Sequence, residues 1–535
     1  MNQPRNTTPW TDAVLKTFCM LSLVGMGLAG CQSVSADAID NSSLTPPVLP
    51  DARVKMDGLS PDWVKTLILA ELRIETATPE GTFAAATRVL DHYAEMGVNG
   101  LWIDPIFERT NKYFNGYTNY GLHTVDPKLS GKKTYAESFE EVRKFVAEAH
   151  KRNIRVFFDV IVWGTAKEAP LVQEHPEFYC KENGEFVNTW GGWKFNWDSP
   201  ALREWYTDQA VAFIEKTGAD GYRVDLAPNI SGDFFQATRE ELYKRGRKIA
   251  LISELPRKNE KVFDFAQIGV NGWPESMAPP KLQRKRYEKQ IERFGSFHAS
   301  EFMFRPGKNI VESIKTGNGI GLVDLHTKGE GANFRFYSVS PVCHDGKTSF
   351  INGNRAKFGY MLLTPFLPMW WIGEEWNNPY DLPVKAWIAI YFNNINWALK
   401  EQPENKAFFE DIKKYIRIRR TYPEIFENFP DRTRDTNIME LSVLRDGKPN
   451  FLPAYARYDD GKAVLVVPNY KSEFPESEFV ISPNFDALGF SNVIKYKVTD
   501  LMSGQELASG EISDLNQIQT TIPAEYLGVY LIEKK

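Results

Sequence analysis

Charged side chains recur at the carboxyl ends of short apolar runs in this 535-residue sequence. The positions with this placement are Asp104, Asp159, Arg223 with Asp225, Glu254, His344 with Asp345, and Glu374 with Glu375. Arg223 and Asp225 are two residues apart in a strand-like segment, so both side chains point to one face. An arginine beside a carboxylate favours its ionised form, and Glu254 adds a second acid at the end of the following run.

Two carboxyl groups across a cleft can act as the nucleophile and the proton donor that cleave a glycosidic bond. A structural ion-pair network at the rim of a fold would use the same residue types. Because the acids repeat at one topological position, the pattern favours the catalytic interpretation, with Asp225 and Glu254 as the candidate pair.

The elements that must position these residues alternate between strand-like runs and amphipathic helical segments over residues 61–435. The runs lie at 64–72, 100–106, 154–162, 221–226, 249–255, 262–268, 337–345 and 366–375. About eight strand–helix units predict an α/β fold, a (β/α)8 TIM barrel with a parallel sheet. A barrel gathers the carboxyl ends of all its strands around one mouth, which would bring the acids together.

The pattern changes after residue 436. Residues 455–470 form two strand-like segments around an Asp-Gly turn, and short runs follow at 496–500 and 528–533. We therefore expect residues 436–535 to form a C-terminal antiparallel β-sandwich domain.

The amino-terminal residues carry targeting signals rather than fold signals. Residues 1–31 contain a short apolar stretch that ends in Leu-Ala-Gly-Cys31, which resembles the lipobox of bacterial lipoproteins. That resemblance implies acylation of Cys31, a membrane partner through the lipid anchor, and a place in the bacterial cell envelope. Gln32 and Ser33 favour the outer membrane, and residues 32–60, rich in Ser, Asp and Pro, are predicted to be a tether. A plain secretory signal is the alternative.

Composition excludes one class of partner. The formal net charge is -5 and the pI is near 6.0, so no basic surface for a nucleic acid is expected. Two further cysteines, Cys180 and Cys343, could pair in an exported protein, but their spacing leaves the pairing open.

Three segments together resemble signature regions of the α-amylase family, glycoside hydrolase family 13. Residues 221–225 (GYRVD), 253–254 (SE) and 343–345 (CHD) resemble regions II, III and IV, in the same order. Supporting similarities lie in residues 97–107 (GVNGLWIDPIF) and 496–504 (YKVTDLMSG).

The resemblance implies a role for each matching residue. Asp225 would be the nucleophile that forms a covalent glycosyl-enzyme, and Glu254 would be the acid and then the base. Asp345 and His344 would hold sugar hydroxyls, Arg223 would position Asp225, and Tyr117 would stack beneath the reacting sugar.

Region I departs from the family pattern. Asp159 is kept, and the resemblance implies that it supports the site near Arg223. Trp163 and Gly164 stand where the family usually has Asn and His. The missing asparagine argues against the family's usual calcium ion, and no cofactor or metal site is expected. Trp163 either lines the reacting subsite or packs under the following loop.

That loop, about residues 163–195, is short for the family's domain B. Its residues 174–179 (EHPEFY) are similar to a loop of the maltosyltransferase branch of the family. The leading hypothesis is a retaining α-glycosidase that hydrolyses α-glucan or α-glucoside substrates, with an oligo- or polysaccharide as its partner. A transglycosylase and a non-catalytic surface protein that binds glycans are the alternatives.

Overall fold

The computed structural model describes residues 61–110, 116–225, 233–254, 265–268, 336–339, 355–364, 367–378, 394–426, 438–450, 454–459, 461–469, 476–490 and 495–535. All structural statements below concern these residues.

Eight parallel strands in the described part of the chain close into a barrel, and this confirms the predicted fold class. They are β1 (Leu69–Leu72), β2 (Gly100–Ile103), β3 (Arg155–Ile161), β4 (Gly221–Asp225), β5 (Ala250–Ser253), β6 (Phe265–Ile268), β7 (Phe336–Val339) and β8 (Leu367–Trp371). Each strand pairs with its neighbours in sequence, and β8 pairs with β1.

Helices connect the strands. The α-helices lie at Ile74–Ala77, Phe83–Ala86, Leu90–Met96, Pro127–Ser130, Tyr135–Lys151, Leu171–Glu174, Pro200–Thr217, Asp233–Lys244, Arg355–Leu363, Pro403–Thr421 and Pro423–Phe426. None of these helices is both long and apolar enough to cross a membrane.

Local signals set several helix ends. Thr134 and Glu137 form a capping box at the start of Tyr135–Lys151. Ser199 caps Pro200–Thr217, and Gly97 ends Leu90–Met96 in the left-handed region, as a terminal glycine does. A 3-10 turn at Thr87–Val89 separates the helices Phe83–Ala86 and Leu90–Met96.

The barrel interior has an apolar lower layer and a charged upper layer. Leu69, Trp102, Phe157, Ile252 and Met369 belong to one buried cluster. Nearer the carboxyl ends of the strands, the buried residues are charged, and they are Glu71, Asp104, Asp159, Arg223 and Asp225. This is the end of a barrel at which active sites lie.

Small antiparallel sheets form the loop that follows β3. Gly164–Thr165, Asn188–Thr189 and Gly192–Lys194 make a three-stranded sheet, and Lys181–Glu182 pairs with Glu185–Phe186. The hairpin of Asn188–Thr189 and Gly192–Lys194, with Trp190 and Gly191 at its tip, is called the tip hairpin below.

Antiparallel strands make up the C-terminal part, as expected. They are β9 (Ile438–Arg445), β10 (Ala454–Asp459), β11 (Lys462–Asn469), β12 (Glu476–Ser482), β13 (Lys495–Asp500), β14 (Glu506–Glu511), β15 (Ile518–Pro523) and β16 (Tyr526–Lys534), with a short strand at Lys448–Pro449 beside β9. The strand order is β14-β13-β16-β11-β10-β9-β12-β15. The first half of β9 pairs with β10 and its second half with β12, so one strand joins the two halves that enclose the core.

Candidate active site

Three neighbouring strands deliver the candidate catalytic residues to one point. The parallel register places Asp159 of β3 opposite Arg223 of β4, and Asp225 ends β4. Glu254 follows β5 directly, and its backbone N–H donates to the carbonyl of Val224 at 3.2 Å. The carboxyl ends of β3, β4 and β5 therefore meet at these four side chains.

Arg223 is the centre of this group. Its Nη1 lies 3.0 and 2.9 Å from the two carboxylate oxygens of Asp159 and 2.9 Å from Oδ1 of Asp225. Its Nη2 lies 3.4 Å from Oε1 of Glu254. The arginine is fully buried, whereas Asp225 and Glu254 keep 10% and 13% of their side-chain surface exposed. One guanidinium thus holds both candidate catalytic acids at the edge of the barrel interior.

Two aromatic residues complete the surroundings of Asp159. The hydroxyl of Tyr117 donates to Oδ2 at 2.7 Å, and the indole N–H of Trp102 donates to the same oxygen at 3.2 Å. The ring of Trp102 also lies 4.7 Å from the guanidinium carbon of Arg223, within cation–π distance. Burial of Asp159 is thus compensated by an ion pair and hydrogen bonds, as a buried charge requires.

Sequence reasoning missed Trp102. The available signal was its spacing from Asp104, since two residues two apart in a strand share a face. The side chain of Trp102 is therefore expected to point into the barrel, on the same face as the side chain of Asp104.

Burial dominates the protonation of the two site aspartates. It raises the pKa of Asp225 well above its usual range, and the nearby charge of Glu254 raises it further, while Arg223 lowers it. Burial likewise raises the pKa of Asp159 to about 7, against the lowering effect of Arg223. The spacing of Arg223 and Asp225 predicted a net preference for the ionised form. That expectation neglected burial and the second acid, which outweigh the single arginine.

The charge count explains this result. One guanidinium faces three carboxyl groups, so full ionisation would leave a buried net negative charge, which is costly. The charge of Glu254 opposes ionisation of Asp225. In a glycosidase, one acid of such a pair donates a proton and the other acts as the nucleophile.

A second charged group lies beside the first. Arg73 contacts Glu75 at 2.6 Å and Asp104 at 3.6 Å, and Arg109 contacts Glu75 at 2.7 Å. Burial raises the pKa of Asp104 to about 6, and Arg73 lowers it. Asp104 also raises the pKa of Asp159 through its charge, so the two groups are electrostatically linked.

The Trp163-Gly164 pair is explained by packing against the tip hairpin. A Cβ at Gly164 would overlap the carbonyl oxygen of Trp193, and a Cβ at Gly192 would lie 3.0 Å from Cζ3 of Trp163. The Trp163 carbonyl accepts a hydrogen bond from the backbone N–H of Phe195 at 3.0 Å. Trp163 is buried, and Cζ3 of its ring lies beside Gly192 of the hairpin.

The described residues at the end of β3 do not fit the calcium ion that the resemblance implies. Calcium is bound by oxygen ligands, and the side chain of Trp163 carries none. Within the described ranges, no group of three or more His, Cys, Asp or Glu side chains is arranged to hold a metal ion.

The His-Pro-Glu segment of the same loop makes local contacts. His175 lies parallel to Phe178, with ring centroids 4.4 Å apart, and its Nδ1 lies 3.0 Å from Oε1 of Glu177. Cys180 carries a free thiol that donates to the carbonyl of Phe195 at 3.3 Å. These contacts lie within the loop itself.

Four predicted residues lie outside the described ranges. They are His344 and Asp345, the lipidation candidate Cys31, and Cys343.

Comparison with protein families gives a match over residues 70–188 to the α-amylase catalytic domain. This span contains all but the first residue of β1, the whole of β2 and β3, and most of the loop after β3, so it includes Tyr117 and Asp159.

Sequence relatives agree with this match. A malto-oligosyltrehalose trehalohydrolase of Saccharolobus solfataricus is 28% identical over 352 residues, which cover 59% of this chain and 58% of that protein. Another, of Arthrobacter ramosus, is 28% identical over 36% of this chain and 34% of the relative. The chloroplastic isoamylase SU1 of Zea mays is 29% identical over 30% of this chain. The matches to these last two relatives span only 34% and 24% of their own lengths.

Solved structures share the fold over most of the chain. A noncanonic maltogenic α-amylase, AmyB of Thermotoga neapolitana, superposes with a TM-score of 0.62 at 17% identity, covering 88% of this chain and 100% of that one. An α-amylase from H. orenii gives a TM-score of 0.60 at 18% identity, covering 88% and 99%. The family match over residues 70–188 and the relatives support an α-amylase catalytic domain, of glycoside hydrolase family 13, in this chain, and the solved structures share its fold.

Proposed function

We propose that the protein is a retaining α-glycosidase that hydrolyses α-glucans or α-glucosides through a covalent glycosyl-enzyme. The observation that carries this proposal is the position of Asp225 and Glu254 on one buried guanidinium at the mouth of the barrel. Relatives that act on malto-oligosyltrehalose, to judge from their names, support an α-glucan as the substrate class.

The first step would use both acids at once. A carboxylate oxygen of Asp225 attacks the anomeric carbon while the proton of Glu254 moves to the leaving glycosidic oxygen, and the carbon–oxygen bond breaks. Arg223 orients Asp225 through the 2.9 Å contact. The narrow exposed edge of each acid faces the mouth, where a sugar can enter.

The second step would release the product. Glu254, now ionised, takes a proton from water, and the water oxygen displaces Asp225 from the anomeric carbon. Two displacements at one carbon restore its original configuration. Asp345 and His344 would hold hydroxyls of the reacting sugar, as the resemblance implies.

The decisive experiment compares the full chain, purified in detergent, with its Asp225→Asn variant on a panel of α-glucans and α-glucosides, with and without phosphate. We expect the variant to lose several orders of magnitude in kcat, since removal of a nucleophile has effects of this size. Equal activity of the two proteins on every substrate would refute the proposed enzymatic function and leave the alternative of a glycan-binding protein. Products longer than the substrate would instead identify a transglycosylase.

We also propose that Cys31 is acylated and holds the enzyme on the bacterial outer membrane, where an extracellular glucan can reach it. The lipobox-like residues 28–31 support this proposal, and residues 32–60 would be the spacer between the lipid and the barrel.

A further inference from the structure

Trp190 combines exposure with an unusual backbone. Its side chain is 54% exposed, the highest value among the large hydrophobic residues that the structure describes. Its φ is +48° and that of Gly191 is +88°, so both turn residues are left-handed. Such two-residue turns strongly prefer Asn-Gly or Gly-Gly, and a bulky side chain in this region is strained. The chain therefore holds an exposed indole where local preferences disfavour one, and strain of this kind is typical of functional sites.

The tip hairpin that carries Trp190 is firmly held. Gly164 and Gly192 allow the close approach of backbones described above. The ring of Trp193 lies 4.2 Å from the Lys167 ammonium and 5.6 Å from the Phe186 ring. These contacts at the base of the hairpin therefore hold its tip in place.

The same tip borders the mouth of the barrel. The hydroxyl of Thr118 donates to the carbonyl of Trp190 at 3.1 Å. Its neighbour Tyr117 donates to Asp159, which shares Arg223 with Asp225. One loop follows β2 and the other follows β3, so both belong to the carboxyl ends of the strands. These contacts link the tip of the hairpin to the group around Arg223 and Asp225.

We propose that Trp190 is a stacking platform for a glucosyl unit of an α-glucan chain, next to the subsite where reaction occurs. The ring faces of glucose present C–H groups, which pack on an indole while the hydroxyls stay in water. This specificity role rests on the proposed glucan substrate. It predicts that long chains gain affinity from Trp190 and that single-glucosyl substrates do not.

The test measures maltoheptaose binding to the full chain by calorimetry, in the Asp225→Asn background so that no cleavage occurs. Trp190→Gly removes the ring but suits the left-handed backbone, and Trp190→Ala and Trp190→Phe complete the series. We expect Gly and Ala to raise the Kd about three- to tenfold, and Phe to raise it less. Tyr243→Ala, which removes another exposed aromatic ring, should leave the Kd unchanged.

Kinetics in the active protein separate this proposal from the proposed function. Trp190→Gly should raise KM for maltoheptaose by a larger factor than it raises KM for a nitrophenyl α-glucoside, which has only one glucosyl unit. An unchanged Kd in Trp190→Gly, an equal loss in Tyr243→Ala, or no maltoheptaose binding at all would overturn the platform. If the wild-type protein is inactive but its maltoheptaose binding still depends on Trp190, the proposed hydrolase activity is refuted and the stacking platform is not.

Discussion

At the residue scale, Asp159 shows how a buried acid supports the site through its neighbours. Its oxygens accept hydrogen bonds from Arg223, Tyr117 and Trp102. It thereby fixes the arginine that orients Asp225. Its own charge also raises the pKa of Asp225, so it influences the protonation of the proposed nucleophile as well as its position.

This link predicts a pH effect of Asp159→Asn. Protonated Asp225 cannot attack, so activity falls as the pH drops below its pKa. Removing the charge of Asp159 lowers that pKa, and we expect the acidic limb of kcat/KM to move to lower pH while kcat itself falls. Glu177→Gln removes an exposed carboxylate from the loop after β3 and should not move the limb. An acidic limb that stays in place or moves to higher pH would contradict this account.

At the element scale, the start of the loop after β3 is packed through its backbone. The carbonyl of Trp193 fills the space where a side chain at Gly164 would begin. The tip hairpin therefore packs directly on the end of the barrel, and a three-stranded sheet forms there.

Gly164→Ala tests this packing. The added methyl group must push the two strands apart, and we expect a loss of about 1–3 kcal/mol in the free energy of unfolding, measured by denaturant titration. Gly510→Ala adds the same group to a strand where the nearest atom is 3.7 Å away, so it should change stability little. An equal free energy of unfolding for Gly164→Ala and the wild type would contradict this account, because the hairpin would then move without loss of stability.

At the scale of the whole molecule, the C-terminal sheet is docked on the helices of the barrel. The rings of Tyr360 and Tyr455 meet edge to face at 5.1 Å, and the hydroxyl of Tyr455 donates to the carbonyl of Tyr360 at 3.2 Å. Buried Arg457 donates to the carbonyl of Ile425 at 2.7 Å. These buried polar contacts bind the sheet to the barrel as one structural unit.

The proposed anchor is tested on the whole chain. When expressed in a bacterial host with radioactive palmitate, the wild type should be labelled and sediment with membranes, because several acyl chains bind a bilayer firmly. Cys31→Ser should lose the label and the sedimentation, whereas Cys180→Ser should keep both. Label that persists in Cys31→Ser, or wild-type protein without label, would refute the anchor.

The repeat of apolar runs and helices specified the barrel, because each strand and helix shows its own period in the sequence. The ordered segments GYRVD, SE and CHD indicated the family from the sequence alone. Capping signals such as Thr134 with Glu137 can also be recognised in the sequence, since a helix end depends on residues a few positions apart.

Long-range packing and burial were decided only by the tertiary structure. The sequence places Asp225 two residues from Arg223. It does not show that the same guanidinium also contacts Asp159 and Glu254, so the direction of the pKa shift of Asp225 could not be predicted from the sequence. In the sequence, Trp163-Gly164 was recognisable only as a departure from the region I pattern of the family that the chain resembles. The reason for the glycine lies about thirty residues away in the carbonyl of Trp193, and only folding brings that atom against it.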